Sequence, residues 1–421
     1  MVVRSQIHPL RWADMIPGSF YYRDMMKGSK DGLISSSTMN SALSFAQNMC
    51  NSRIDRYPDR EPKPNIRAFS QEAALALYAS RFYTMGKNTI EMSPELVDAL
   101  DHTTLGDVKI SDIKFPHKYF WVSLNNAACG GIPGSPNTID GAYVDATLIE
   151  KARTLQIVLT TRRSDLDPDS DSEWPFKTEP YFYVPCKLEA GDTRTFEAIL
   201  DQSIREGEIK LSEEFAKDLP MPASADDAGI DGADVVDVNG REMTIRWKNT
   251  PRLTTIVDRT RENDMAEIER NRQAMPSIRR ALALVVNLLA YMSLEPDEIQ
   301  TELRWREDAP AELLDQIKNG RSSGARQRAE EELVRREFNR IKVVGLKHVQ
   351  PSTRTEYEDG AELQFSHMRI GHFRTQVYGP RNSLRKIIWV RPVRVRPDLE
   401  LKPDGGGHQY VVHPHDEVTR T

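Results

Sequence analysis

Apolar residues recur at helical spacing over Thr38 to Cys50 and over Ser70 to Thr84, with Ser70 placed to cap the second stretch and Gly86 to end it. Short apolar runs of strand length follow: Tyr119-Phe120-Trp121-Val122, Leu155 to Thr161, and Tyr181 to Val184. Thr193 to Glu206 returns to helical spacing. Val235 to Arg241 alternates around Asn239-Gly240, a dipeptide that suits the type I′ turn of a hairpin.

From Asp258 the pattern turns helical and highly charged. Met275-Pro276 marks a break, and Pro276 suits the first turn of a new helix. That helix carries Ile278, Ala281, Leu282, Val285, Leu289 and Met292 on one stripe, with Leu284, Val286 and Leu288 elsewhere on its surface. A helix apolar nearly all round belongs at the centre of a domain, where Asn287 reads as a core amide with its hydrogen bonds made. Ala311 to Lys318 and Ala325 to Ile341 read as helices. The second has Glu330, Glu331 and Glu332 early and Arg335, Arg336 and Arg340 late, the polarity its macrodipole favours. Lys342 to Val349, Gly371 to Tyr378 and Leu384 to Val395 then read as strands.

These elements predict an α+β protein. A mixed N-terminal region (1–219) precedes a flexible insertion and hairpin (220–258), the insertion being the Pro, Ala, Asp and Gly-rich stretch Pro220 to Gly232. A C-terminal unit (259–400) combines the buried helix, the charged helices and basic antiparallel strands, and a tail (401–421) follows.

Composition narrows the class. With 39% hydrophobic and 29% charged residues the chain reads as a soluble globular protein. The longest apolar run, Ala281 to Met292, is interrupted by Asn287 and is too short to span a bilayer, so no membrane segment is expected. The first residues lack the apolar core of a signal peptide. Cys50, Cys129 and Cys186 form no C-x-x-C pair, which argues against a zinc ribbon or a disulfide framework and for reduced thiols in a cytoplasm.

Several stretches invite chemistry that their details oppose. Ala127 to Asn137 is glycine-rich, but no Lys-Ser/Thr follows and Pro133 and Pro136 break the helix a phosphate loop needs, so a surface loop is expected. Asp165, Asp167, Asp169, Asp171 and Glu173 have calcium-loop spacing, but Ser170 stands where the turn needs Gly and Phe176 where the bidentate Glu belongs. The acids Asp226, Asp227, Asp231, Asp234 and Asp237 read as a solvated cluster, and His408, His413 and His415 as part of a loose tail. No metal and no cofactor is expected.

Charge distribution is the strongest functional signal. Gln364 to Arg396 holds eight Arg or Lys and no Asp or Glu, in a chain of net charge −6. A basic block on an acidic protein is the footprint of a polyanion partner, with RNA or DNA the first candidate. Arg381, Arg385, Lys386, Arg391 and Arg394 are candidate phosphate contacts, and Tyr378 and Trp389 candidate stacking faces for unpaired bases. Alternation puts His372, Arg374, Gln376 and Tyr378 on one strand face, and Gly371 suits a bulge that re-aims His367 and Arg369 toward the same side. Two histidines beside arginines also fit metal-independent RNA cleavage: His367 and His372 as acid and base, in either order, with Arg369 or Arg374 stabilising the charged phosphorus. The bland alternative is an Arg-rich sheet edge whose charges deter aggregation.

The run His367-Met368-Arg369-Ile370-Gly371-His372-Phe373-Arg374, then Tyr378-Gly379, Lys386 and Ile388-Trp389-Val390-x-Pro392, resembles a family of phage and mobile-element proteins that includes an anti-CRISPR directed against type V systems. Asn287-Leu288-Leu289-x-Tyr291 is similar to the family's segment before this motif; Ile370 and Val390 depart from it modestly. The likeness covers Ser277 to Val395. It implies interference with production of a CRISPR effector nuclease, at the level of mRNA or the ribosome, in a bacterial cytoplasm. The basic surface would meet RNA, and the N-terminal part would choose the target, an effector or its nascent polypeptide. A protein-only inhibitor or structural phage component remains the alternative to both RNA readings.

Overall fold

The computed structural model describes Pro9 and residues 19–27, 34–56, 66–127, 129–130, 137–163, 181–189, 191–216, 232–237, 242–247, 273–306, 309–336, 338–345 and 367–395. In chain order the helices are α1 (Ser19–Lys27), α2 (Ser36–Arg56), α3 (Ile66–Thr84), α4 (Pro94–Asp101), α5 (Leu148–Ala152), α6 (Phe196–Ala216), α7 (273–291), α8 (Ala311–Asn319) and α9 (Ser323–Arg335). The strands are β1 (Thr89–Met92), β2 (Thr103–Thr104), β3 (Tyr119–Ser123), β4 (Asn137–Asp145), β5 (Thr154–Arg163), β6 (Phe182–Lys187), β7 (Gly232–Asp237), β8 (Glu242–Trp247), β9 (Thr301–Trp305), β10 (Arg340–Val344), β11 (His367–Arg369), β12 (Gly371–Tyr378), β13 (Leu384–Val390) and β14 (Val393–Val395). The expected α+β class is what forms.

A seven-stranded sheet in the order β6-β5-β4-β3-β1-β10-β9 divides the core. β1 runs parallel to both β3 and β10; the other neighbours are antiparallel. Side chains alternate across it with period two. Phe120, Val122, Ala142, Val144, Ile157 and Leu159 face a core filled by α4, α6 and α7. Tyr119, Trp121, Tyr143, Val158, Ile341 and Val343 face α1, α2 and α3. Strands buried on both faces explain why β3 reads as a continuous apolar run. On the α3 side, buried Arg81 forms an ion pair with buried Asp145, donates to Thr147 Oγ1 at 2.6 Å, and lies 4.6 Å over the Tyr119 ring.

Helix α7 is buried all round from Leu284 to Tyr291, as its apolar surface predicts, while Pro276, Arg279 and Ala283 leave one stripe of its first half exposed; Ile278, Ala281, Leu282, Leu284, Val285, Val286, Leu288 and Leu289 are all in the core. Asn287 Nδ2 donates to the carbonyls of Leu100 at 3.0 Å and Thr103 at 2.8 Å, so its amide ties α7 to the end of α4 and to β2. Helix α4 starts at Ser93, whose hydroxyl accepts from Leu96 N at 3.1 Å and donates to the Gly345 carbonyl at 2.9 Å. Among the described residues no helix is long and apolar enough to cross a membrane.

Several boundaries move. Ser70 sits one turn inside α3 rather than at its cap, while Gly86 follows the helix end with φ +95°, as a stop should. Pro276 marks no break: α7 is continuous through it, and a proline in the first described turn leaves the later hydrogen-bond ladder intact. Helix α9 ends at Arg335, not Ile341, because Ile341 and Val343 are taken into β10 beside β1, where β-branched side chains pack well. The boundary placed between residues 219 and 259 does not divide the core, since β9 and β10 complete the sheet begun by β1 and β3–β6, and α7 packs against one of its faces. β7 and β8 pair antiparallel, as expected. Pro220 to Asp231, Asp165 to Glu173, most of Ala127 to Asn137 and the histidines of the tail lie outside the described residues.

Candidate nucleic-acid interface

The basic block folds as a hairpin with one register throughout. His367 pairs with Val395, Arg369 with Val393, His372 with Val390, Phe373 with Trp389, and Tyr378 with Leu384. The pairing lapses only where Ile370 and Gly371 stand across from Arg391 and Pro392. Pro392 has no N–H to give a ladder, which is why the stretch read as one strand to Val395 is split into β13 and β14. Gly371 allows the two chains to approach there: a Cβ would come 2.6 Å from Pro392 N and 2.7 Å from the Val390 carbonyl oxygen.

A constant register corrects the expectation of a bulge at Gly371. No extra residue is inserted, so positions 367 and 369 keep the parity of Phe373, opposite to His372 and Arg374. His367 and His372 are five positions apart along an extended strand, roughly 17 Å of backbone. By this register the backbone positions 367 and 369 lie on one face of the ribbon and 372 and 374 on the other.

The hairpin docks by its odd-numbered face. Phe373 and Ile387 are buried, and the Trp389 ring stacks on Phe373 (centroids 5.6 Å apart, planes at 20°) and meets Tyr291 of α7 edge-on at 5.5 Å. Trp389 Nε1 donates to Thr103 Oγ1 at 3.3 Å. Trp389 is thus the hairpin's anchor, on the face away from Tyr378, and Arg391 covers its exposed side with its guanidinium 5.8 Å from the ring. On the other strand edge, β2 pairs in parallel with Gly371 and His372. Beyond it Thr375 N donates to Asp107 Oδ1 at 2.8 Å and Thr375 Oγ1 to Asp112 Oδ2 at 3.2 Å.

Support from the body ends at Thr375. Val377, Tyr378 and Leu384 are 46%, 38% and 48% exposed, although they belong to both faces of the ribbon. The cations are likewise divided. Arg374, Lys386 and Arg394 share the parity of His372 and Tyr378; Arg369, Arg385 and Arg391 have the other; Arg381 is at the tip. Lys386 Nζ lies 5.6 Å over the Tyr378 ring. None of the ion pairs among the described residues uses Arg369, Arg374, Arg381, Arg385, Lys386 or Arg391. The result is a cationic ribbon with two accessible faces rather than a one-sided basic sheet.

Sequence reasoning missed the acceptors Asp107 and Asp112 and the docking residues Thr103 and Thr104, because nothing local links them to a strand more than two hundred residues later. It also missed the backbone of the tip. Arg381 and Asn382 both have φ +56°, and the turn is closed by Asn382 N to the Gly379 carbonyl at 3.1 Å and Ser383 N to the Pro380 carbonyl at 3.3 Å.

No curated protein matches the chain. A model of the AcrVA2-like proteins, described as the anti-CRISPR type V subtype A2 family, matches residues 90–397, which extends the likeness well upstream of Ser277 to include β1, the central sheet and α4. A match over that much of the sheet, the central helix and the hairpin docked on them places this chain in the AcrVA2-like anti-CRISPR family.

Proposed function

We propose that this chain is a phage or mobile-element anti-CRISPR protein that interferes with its target at the level of RNA or translation. The basic hairpin is the surface that meets messenger or ribosome-associated RNA in the host cytoplasm. The observation that carries this reading is the concentration of cations on a projecting hairpin of an otherwise acidic protein. Such a surface gains affinity by releasing condensed counterions from phosphates. The reading does not call on catalysis, and the separation of His367 from His372 favours binding over cleavage.

The test is fluorescence anisotropy with a labelled RNA at two salt concentrations, comparing the protein with Arg374→Glu/Arg385→Glu/Lys386→Glu. The triple variant should bind more weakly and have a salt slope smaller by about 0.7–0.9 for each phosphate it no longer neutralises. Equal affinity at both salts would remove RNA from the reading and leave a protein partner.

A further inference from the structure

We infer that the hairpin tip, Gln376 to Lys386, is an insertion element that enters the groove of an RNA stem opened by a bulge or internal loop. This rests on the RNA reading above and adds which RNA structure is recognised and by which residues. Three observations support it. First, the tip stands clear of the body on both faces, with Val377 on one, and Tyr378 and Leu384 on the other, all more than a third exposed. A binding strip for a partner lying on the protein would need one open face; a tip bare on two faces is shaped to be surrounded.

Second, its cations point to walls on both sides. Arg385 lies on the Val377 face and Lys386 on the Tyr378 face, and Arg381 caps the end. Phosphates line both sides of a nucleic-acid groove, and a two-stranded ribbon is narrow enough to enter one. A regular A-form helix has a deep groove too narrow for side chains, so the site must be widened by unpaired nucleotides. Stacking along a single strand is the poorer fit. It needs a row of accessible rings, whereas Trp389 is turned into the core and Tyr378 already has Lys386 over it.

Third, the end of the tip is held in a conformation that L-residues rarely adopt. Arg381 has φ +56° and ψ +29° beside Asn382 at φ +56° and Gly379 at φ +76°. Glycine would occupy the Arg381 position without strain. A long cationic side chain kept at a strained, exposed position points to a use for that side chain rather than to the stability of the turn.

The experiment compares four probes of equal length: an RNA stem with a central bulge, an uninterrupted RNA stem, a single-stranded RNA and a DNA duplex. Each is titrated against the full chain and against Arg381→Gly. The full chain should prefer the bulged stem by about tenfold, the scale of one good groove contact. Arg381→Gly should keep or raise the melting temperature while losing that preference. If any of the other three probes binds as tightly as the bulged stem, or if Arg381→Gly keeps the wild-type ranking, the insertion role is wrong. Those outcomes leave RNA binding itself standing; only indifference of every probe to Arg374→Glu/Arg385→Glu/Lys386→Glu would remove both.

Discussion

Thr103 accepts a hydrogen bond from Trp389 Nε1 at 3.3 Å and donates its own to the Ala99 carbonyl at 2.7 Å, so a two-residue strand at the end of α4 carries the basic hairpin. Behind it, Asn287 of α7 holds the carbonyls of Leu100 and Thr103. The cationic ribbon is therefore tied to helix α7 both through Thr103 and directly, through the contact of the Trp389 and Tyr291 rings. A projecting element is useful for recognition only if its base is rigid, and here the base is core.

This linkage sets the cost of removing its members. Trp389→Ala should destabilise by about 3–5 kcal/mol, since it empties the space between Phe373 and Tyr291. Trp389→Phe should lose only about 1 kcal/mol, the net worth of one hydrogen bond. Asn287→Ala should cost about 1–3 kcal/mol by leaving two buried carbonyls without its amide. Urea unfolding followed by tryptophan fluorescence and by circular dichroism measures all three. A Trp389→Ala protein as stable as wild type would mean that the hairpin is not docked as described.

Gly371→Ala tests the crossing point of the hairpin. The added Cβ has no room beside Pro392 N at 2.6 Å and the Val390 carbonyl oxygen at 2.7 Å, both of them backbone atoms that cannot swing away. A cost of about 1–3 kcal/mol is expected, as for overpacking. Amide hydrogen exchange should rise in β11 and β14 while α7 stays protected. Uniform exchange across both regions would show that the strain is absorbed elsewhere.

How far the sequence carried the architecture follows from what kind of force sets each element. Helix α7 was legible because its burial is written in its own residues, and Asn287 stood out as a polar group among apolar ones. The hairpin was legible from alternation. Faces were not. Parity alone allows either side of β13 to meet the core, and only Tyr291 and Phe373, from other elements, decide that Trp389 goes inward. The continuity of the sheet across residues 219–259 was hidden for the same reason. Composition shifts mark where the chain is poor in apolar residues, but β10 returns to pair with β1 after about 250 intervening residues, a pairing that no local pattern encodes.

His117 gives the fold a pH dependence. It sits in a cleft of about 930 Å³ with Lys87, Arg340, Lys342, Glu330 and Glu331 around it, its ring 6.3 Å from Phe120. Burial, and then the charge of Lys342, hold its pKa below the ordinary 6.5. The unfolded chain therefore takes up the proton first on acidification. The stability contributed is full above 6.5 and is lost as pH falls through 6.5 toward the lower folded value. Urea midpoints at about pH 7.5 and 5.5 should drop more for wild type than for His117→Gln, with Lys342→Met in between. An identical drop in all three would assign the acid sensitivity to other groups.

The Pro, Ala, Asp and Gly-rich stretch from Pro220 to Gly232 has a composition that favours protease access. A broad-specificity protease should cut there early. The two products should not separate. β1 is bonded in parallel to β10 through Ile90 with Lys342, Glu91 with Val343 and Met92 with Val344, and α7 from the second fragment fills the core beneath strands of the first. Pulling them apart would expose one continuous hydrophobic core on both sides, so the nicked protein should elute from gel filtration at the position of the intact chain. It should fall into two fragments only in denaturant. Recovery of two separately folded bodies under native conditions would restore an independent C-terminal domain and contradict the shared sheet.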